Sequence, residues 1–307
     1  MDRVKFDMVT ILGPTASGKT EVAVNLALKI SGEIISADSR QIYREMNLGT
    51  GKDLEEYHVN GVDVPYHLID IAEAGYQYNV FEYQRDFLKV YQSIREKGSF
   101  PVMCGGSGMY LEAILKGYRL IQVPVNEERR LELQFLSLDE LTEILKRYKS
   151  INNTSDTENK KRAVRAIEIE EFCLAHPETD LSFPAISSLI IGVKYDRDSR
   201  RRRITSRLKQ RLDDGMIDEV KKLIDNGLKP DDLTYYGLEY KYLTLFITGK
   251  LTYNEMFEGL NTAIHQFAKR QMTWFRKMER DGFEIKWLDG YMPVNEKTDK
   301  IISWLKQ

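Results

Sequence analysis

Phe6-Asp7-Met8-Val9-Thr10-Ile11-Leu12-Gly13-Pro14-Thr15-Ala16-Ser17-Gly18-Lys19-Thr20 is the stretch that decides the fold. A mostly apolar run, residues 6–12, stops at Gly13, and residues 21–30 carry apolar side chains at helical spacing, which together read as a buried strand, a loop and a helix. The loop fits G-x-x-x-x-G-K-[ST] at every fixed position and in the strand-to-helix context that gives the pattern its meaning. Its glycines let the backbone wrap so that N–H groups point inward. The helix N-terminus adds positive potential, Lys19 a point charge, and the Thr20 hydroxyl a candidate Mg²⁺ ligand. Gly13, Pro14, Thr15, Ala16, Ser17, Gly18, Lys19 and Thr20 therefore predict a cradle for a diphosphate or triphosphate. Whether the phosphate is transferred, hydrolysed or lost as a leaving group is left open by the motif.

Beyond the loop the alternation continues. Residues 33–37 form a short apolar strand closed by Asp38, and 67–71, 101–104, 189–195 and 283–288 are further strand candidates. Residues 80–96, 198–224 and 253–281 read as helices. Strands alternating with helices predict an α/β fold with a mainly parallel sheet covered on both faces. Residues 123–183 differ, being charged, helically patterned and without a convincing strand. The expected organisation is a core built from 1–122 and 184–307 with a helical insertion, 123–183, packed on it or hinged to it. No repeat or low-complexity linker separates the two.

At 307 residues, with 42% hydrophobic and 30% charged residues, the chain can bury a sizeable core. No apolar run approaches the ~18–20 residues of a spanning helix, and residues 1–6 show neither a secretion signal nor a transit peptide. A cytoplasmic protein without a membrane partner is expected. Cys104 and Cys173 are too few for a zinc site and suggest buried thiols.

The formal charge of −2 argues against a protein that coats nucleic acid everywhere. Locally the balance differs. Residues 194–211 hold nine basic and two acidic side chains, Lys269, Arg270, Arg276, Lys277 and Arg280 stand together against Glu279, and Lys160, Lys161, Arg162 and Arg165 crowd a third helix. One such stretch is an ordinary solvated face; three favour a polyanionic partner.

A hydrolysing motor or switch would show a long apolar strand ending in Asp to hold Mg²⁺ and water, and only His67-Leu68-Ile69-Asp70 resembles one, weakly. The stronger strand, 101–104, runs into Gly105-Gly106-Ser107-Gly108, which can bring backbone and one hydroxyl against a second phosphate face. Asp38 would end beside the phosphate site if its strand neighbours the first. There it could hold Mg²⁺, accept a proton from an attacking group, or merely cap a following helix. Ser39, Arg40 and Gln41 add a hydroxyl, a guanidinium and an amide able to bond a base edge or a sugar-phosphate backbone.

GPTASGKT at 13–20, DSRQIYREMNLGTGKD at 38–53, YHLID at 66–70, GGSGMY at 105–110 and AKRQMTWFRK at 268–277, in that order, resemble the tRNA dimethylallyltransferase (tRNA isopentenyltransferase) family, bacterial type, over almost the whole chain. The resemblance implies a P-loop NTPase-like α/β core whose helical insertion swings over the tRNA anticodon stem-loop. It implies Mg²⁺-dependent transfer of a dimethylallyl group from dimethylallyl diphosphate to N6 of the adenosine 3′ of the anticodon. Carried over by position, Asp38 is the general base, Ser107 (where the family usually has Thr) contacts the reacting region, and Arg207 meets the pyrophosphate. Asp38, Ser39, Arg40, Gln41, Ser107, Arg129, Asn159, Lys160, Lys161, Arg162, Ala163, Lys269, Arg270, Gln271, Thr273, Trp274 and Arg276 fall where the family touches tRNA. Gly237-Leu238-Glu239-Tyr240 departs from the usual Gly-Tyr-Lys/Arg-Glu.

The chemistry agrees with the residues. An allylic diphosphate ionises readily, so an enzyme must mainly stabilise pyrophosphate and position a poor amine nucleophile, whose proton a carboxylate can then take. A single chain can build one tRNA-sized site, so a monomer is expected. A small-metabolite kinase or an adenylate prenyltransferase would use the same cradle and Asp38 without needing three basic helices. A nucleotide-dependent switch would need no general base.

Overall fold

The computed structural model describes residues 5–118, 120–151, 156–177 and 183–307. Strand β1 (Met8–Leu12) leads through the glycine loop into helix α1 (Lys19–Ile30), followed by β2 (Gly32–Ala37). A short 3₁₀ turn (Leu54–Tyr57), a small hairpin of β3 (His58–Val59) and β4 (Val62–Asp63), and β5 (Tyr66–His67) precede α2 (Val80–Glu96), β6 (Phe100–Gly105) and α3 (Gly108–Leu115). Helices α4 (Glu127–Leu133), α5 (Leu138–Tyr148) and α6 (Lys160–Ala175) come next. Then follow β7 (Ser188–Lys194), α7 (Arg197–Asp213), α8 (Met216–Asp225), α9 (Pro230–Leu233), α10 (Leu238–Ile247), α11 (Tyr253–Arg280), β8 (Ile285–Asp289) and α12 (Val294–Leu305).

Six strands form one parallel sheet in the order β5-β2-β6-β1-β7-β8. Every residue of β1 and β2 is buried, as strands covered on both faces require. Because side chains alternate along a strand, Val9 and Ile11 join Ile34, Val102 and Ile191 under Val22, Leu26 and Ala27 of α1 and Ile301 of α12. On the opposite face Tyr83 of α2 reaches Met103, and Phe275 of α11 packs against Trp287 of β8.

Three expectations need correction. The strand at 67–71 shrinks to β5 because Leu68 (φ 60°) and Asp70 (φ 55°) leave the extended region. The single helix expected at 198–224 is α7 and α8, broken at Gly215 (φ 100°). Cys104 is buried as expected, whereas Cys173 is only half-buried.

The chain divides into two compact units, Met1–Tyr118 with Pro184–Gln307, and Arg119–Phe183. In the second, α5 starts with a reciprocal Ser137–Glu140 cap. Its core is Leu133, Leu141, Leu145, Ala163, Ala166 and Ile167. Among the described residues no helix is long and apolar enough to cross a membrane.

Candidate active site

The floor of the site is the loop between β1 and α1. Ala16 (φ 61°) and Gly18 (φ 75°) adopt the left-handed conformation that curls the backbone, and α1 begins without a side-chain cap, leaving its first N–H groups open to an anion. A Cβ at Gly13 would lie 2.7 Å from the Val193 carbonyl and 2.5 Å from Ser17 Oγ, so only glycine fits there. Ser17 Oγ is buried without a hydrogen-bond partner among the described residues, a donor left over inside the cradle.

Asp38 does not stand on the strand next to β1. Strand β6 lies between, pairing Ala37 with Gly105, so the Gly105–Gly108 loop is inserted between the phosphate loop and Asp38. Gly105 is obligatory, since a Cβ would come within 2.2 Å of the Ala37 carbonyl. Ser107 closes the arrangement: its N–H donates to Ala37 O (3.2 Å), and its hydroxyl accepts from Ser39 N (2.9 Å) and donates to Ser39 Oγ (3.2 Å). Ser107 thus clamps the Asp38 turn while lining the same cavity as Asp38.

No helix follows Asp38. One carboxylate oxygen accepts from Arg40 N (3.0 Å) and shapes a turn, while the other has no partner among the described residues and lines the cavity. Gln41 is occupied: its Oε1 accepts from Ser36 Oγ (3.0 Å) and its Nε2 donates to Gly51 O (3.1 Å). Arg40 spans to the Tyr235 carbonyl (2.7 Å) and lines the same cavity.

Gln271 joins the two glycine loops. It is buried on α11; its Oε1 accepts from Thr15 N and its Nε2 donates to Gly106 O, each at 2.9 Å. The amide staples the two phosphate loops together, and Gln271 also lines the cavity, where its second N–H and second lone pair stay open. Trp274 lies against Gly108, where a Cβ would sit 2.5 Å from the indole, and lines the cavity. Lys269, Arg270, Thr273 and Arg276 are exposed on α11, and Arg270 also borders the cavity.

Arg207 faces the cavity from α7, paired with Asp53. Arg211, one turn on, holds the same carboxylate at 3.1 and 3.2 Å. Arg203, one turn earlier, donates to the carbonyl of Ala16 in the phosphate loop (3.0 Å) and stacks over Tyr195. No motif singles out Arg203 within the basic stretch 194–211, although its i, i+4 spacing from Arg207 puts both on one helix face. The Asp70 alternative falls away, because Asp70 pairs with buried Lys52.

The resulting cavity, about 950 Å³, brings together Thr15 to Thr20, Asp38 to Gln41, Gly106 to Tyr110, Arg203, Arg207 and the α11 side chains. Leu238, Ile264, Phe267 and Trp274 supply an apolar wall. Glu239 also lines it, its carboxyl pushed up by burial. Tyr240 of the same departing segment is buried and donates to Glu219, whose carboxylate accepts from the N–H groups of Asn47, Leu48 and Gly49. Burial pushes the Cys104 thiol up to about 12, so it is no nucleophile.

The other sequence candidates belong to the second unit. Arg129 forks onto Glu171 and reaches Glu132, Asn159 caps α6 by accepting from Arg162 N, and Ala163 is core. These three have structural duties. Lys160, Lys161 and Arg162 are exposed in the first turn of α6, where the helix dipole disfavours positive charge.

A P-loop α/β core in which two facing glycine loops and the Asp38 carboxylate line one cavity defines a class of phosphate-binding enzyme. Residues 41–278 match the IPP transferase family, and the chain belongs to it. It is 62% identical to tRNA dimethylallyltransferase 2 of Bacteroides fragilis over 98% of this chain and 99% of that one. It is also similar to the crystal structure of the full-length tRNA isopentenylpyrophosphate transferase of Bacillus halodurans, at 31% identity and a TM-score of 0.72, covering 98% and 96% of the two chains. A eukaryotic dimethylallyltransferase shares the fold at a TM-score of 0.77 and 21% identity, over 92% of this chain and 74% of that one.

Proposed function

We propose that this protein transfers the dimethylallyl group of dimethylallyl diphosphate to N6 of the adenosine just 3′ of the anticodon in tRNA, giving N6-dimethylallyladenosine and diphosphate. The observation that carries it is the single cavity in which a diphosphate cradle, a carboxylate with a free oxygen and an apolar wall meet. The cradle takes the diphosphate, with Lys19, Arg203 and Arg207 on its charge. The C1–O bond breaks and its electron pair leaves on the diphosphate, which these fixed charges stabilise as it forms. N6 forms the new bond to C1, and its proton passes to Asp38. Leu238, Ile264, Phe267 and Trp274 hold the prenyl tail and keep water from the allylic cation.

The residues fit a Mg²⁺ ion. Thr20 offers a hard oxygen at the start of α1, and the unpartnered Ser17 hydroxyl marks a cradle built for added oxygens. No cluster of three or more His, Cys, Asp or Glu suited to a metal occurs among the described residues, so the diphosphate would supply most of its ligands. Bound there, Mg²⁺ would neutralise charge on the leaving group.

The target base must leave the loop stack to reach Asp38, which costs least in single-stranded RNA. Lys269, Arg270 and Arg276, with Lys160, Lys161 and Arg162 on the insertion, supply the charge that an anticodon stem-loop requires. A cytoplasmic monomer suits this role. Asp38→Asn keeps the side chain's size and removes its basicity. In single-turnover assays it should slow transfer by roughly 10²–10⁴-fold, with tRNA affinity within twofold of the parent. A rate within threefold of the parent would remove Asp38 from the chemistry.

A further inference from the structure

Arg207 does not reach the cavity unaided. It shares Asp53 with Arg211, so three charged side chains from two distant segments form one cluster carrying a net charge of +1. Arg211 is the inner member: its side chain is 12% exposed, and its guanidinium lies against Gly51, where a Cβ would sit only 2.2 Å from it. Gly51 (φ 70°) thereby leaves room for Arg211 as well as for the turn itself. Asp53, also left-handed (φ 31°), stands at the head of the 3₁₀ turn but makes no side-chain cap to it, so its carboxylate is committed to the arginines. Burial pushes that carboxyl up, yet the two guanidinium groups outweigh it and hold Asp53 ionised below the usual carboxylate range.

We infer that Asp53 is a positioning residue for the transfer reaction: anchored by Arg211, it fixes the guanidinium of Arg207 at the cavity wall, where the leaving diphosphate develops charge. The inference rests on the transfer reaction proposed above.

The physical reason is preorganisation. A free arginine side chain has many rotamers, and one that must be ordered during the reaction stabilises the transition state less than one already held in place. The Asp53 contact uses one edge of the Arg207 guanidinium, leaving further N–H groups for phosphate oxygens. Removing Asp53 raises the local positive charge while freeing Arg207 to move. Ground-state diphosphate binding should then hold or tighten, and the chemical step should slow. A residue that merely supports the fold would instead weaken both substrates together.

The test is a double-mutant cycle of Asp53→Asn and Arg207→Gln, with transfer of dimethylallyl to tRNA measured in the full chain. Asp53→Asn should lower kcat about tenfold, with donor KM no higher than in the parent and tRNA affinity unchanged. In the Arg207→Gln background the same change should have no further effect. Arg211→Lys, which keeps the charge and loses the two-oxygen contact, should give a smaller loss of kcat and serves if Asp53→Asn does not fold. A readout independent of activity is the Nε–H signal of Arg207 in ¹⁵N-labelled protein, sharp in the parent and averaged toward that of a mobile arginine in Asp53→Asn. Unchanged kcat in Asp53→Asn, equal losses in both backgrounds, or an Arg207 signal indifferent to Asp53 would each overturn the inference. A parent protein that transfers nothing to tRNA would instead sink the proposed reaction, leaving the Arg207 signal to report on the clamp alone.

Discussion

Gln271 offers the sharpest single perturbation, because its sequence position suggests an RNA contact and its structure makes it a staple. Gln271→Met keeps the length and removes both hydrogen bonds, stranding the Thr15 N–H and the Gly106 carbonyl beneath a buried side chain. An unsatisfied buried polar group costs about 1–3 kcal/mol; the Gly106 carbonyl is buried and the Thr15 N–H only partly so, and the pair amounts to about 2–4 kcal/mol. In a unit of this size each kcal/mol moves the midpoint by roughly 2–4 °C, so thermal unfolding should fall by roughly 5–15 °C. The glycine loops would also lose their fixed spacing. Diphosphate affinity, read by calorimetry with inorganic pyrophosphate, should weaken about tenfold, while tRNA affinity by filter binding stays within twofold. A variant with parental stability and pyrophosphate affinity but weakened tRNA binding would refute the staple and restore Gln271 to the RNA face.

Lys19→Ala should raise donor KM and slow transfer at least tenfold without altering tRNA affinity, since the charge acts on the diphosphate; steady-state kinetics with donor and tRNA varied separately will show it. Replacing Lys269, Arg270 and Arg276 with Gln should weaken tRNA binding for all sequences and reduce its salt slope by about one unit per lost phosphate contact, with discrimination at the target adenosine little changed. An unchanged slope would make these side chains ordinary solvated charge. Acid sensitivity follows from Glu112, fully buried on α3 beneath Lys116 and Lys277. Burial lifts its carboxyl, but the lysine hydrogen bonds outweigh that and hold it below its ordinary 4.5. Its stabilisation is therefore present above about 4.5 and lost as the pH falls through the lower folded value, so the stability gap between parent and Glu112→Gln should close on acidification in urea unfolding.

Local patterns were legible; contacts across the chain were not. The run 6–20 announces strand, loop and helix because each depends on residues next to it, and α2 falls where its apolar spacing and the Asn79–Glu82 cap require. Helices α7 and α8 read as one because helical spacing continues across Asp214-Gly215, although the glycine was the available signal. Asp38 is legible in the sequence, but its route to the site is not, since β6 enters the sheet between β1 and β2 from sixty residues away. The same limit hid Gln271. A motif position says that a side chain matters, and only the fold says that this one faces inward, whereas Lys269 and Arg270 beside it face solvent. Nothing in the sequence ties Arg207 to Asp53, more than a hundred and fifty positions away, so the pyrophosphate contact is legible there and the clamp is not.

The identity of the acceptor can be measured directly. Incubate the protein with labelled dimethylallyl diphosphate and Mg²⁺ in parallel with unmodified tRNA, AMP or ATP, digest the products to nucleosides and locate the label by mass spectrometry. Label confined to tRNA, on N6 of the adenosine 3′ of the anticodon, is the expected result. Label on AMP or ATP, or its release only as the free alcohol, would contradict it.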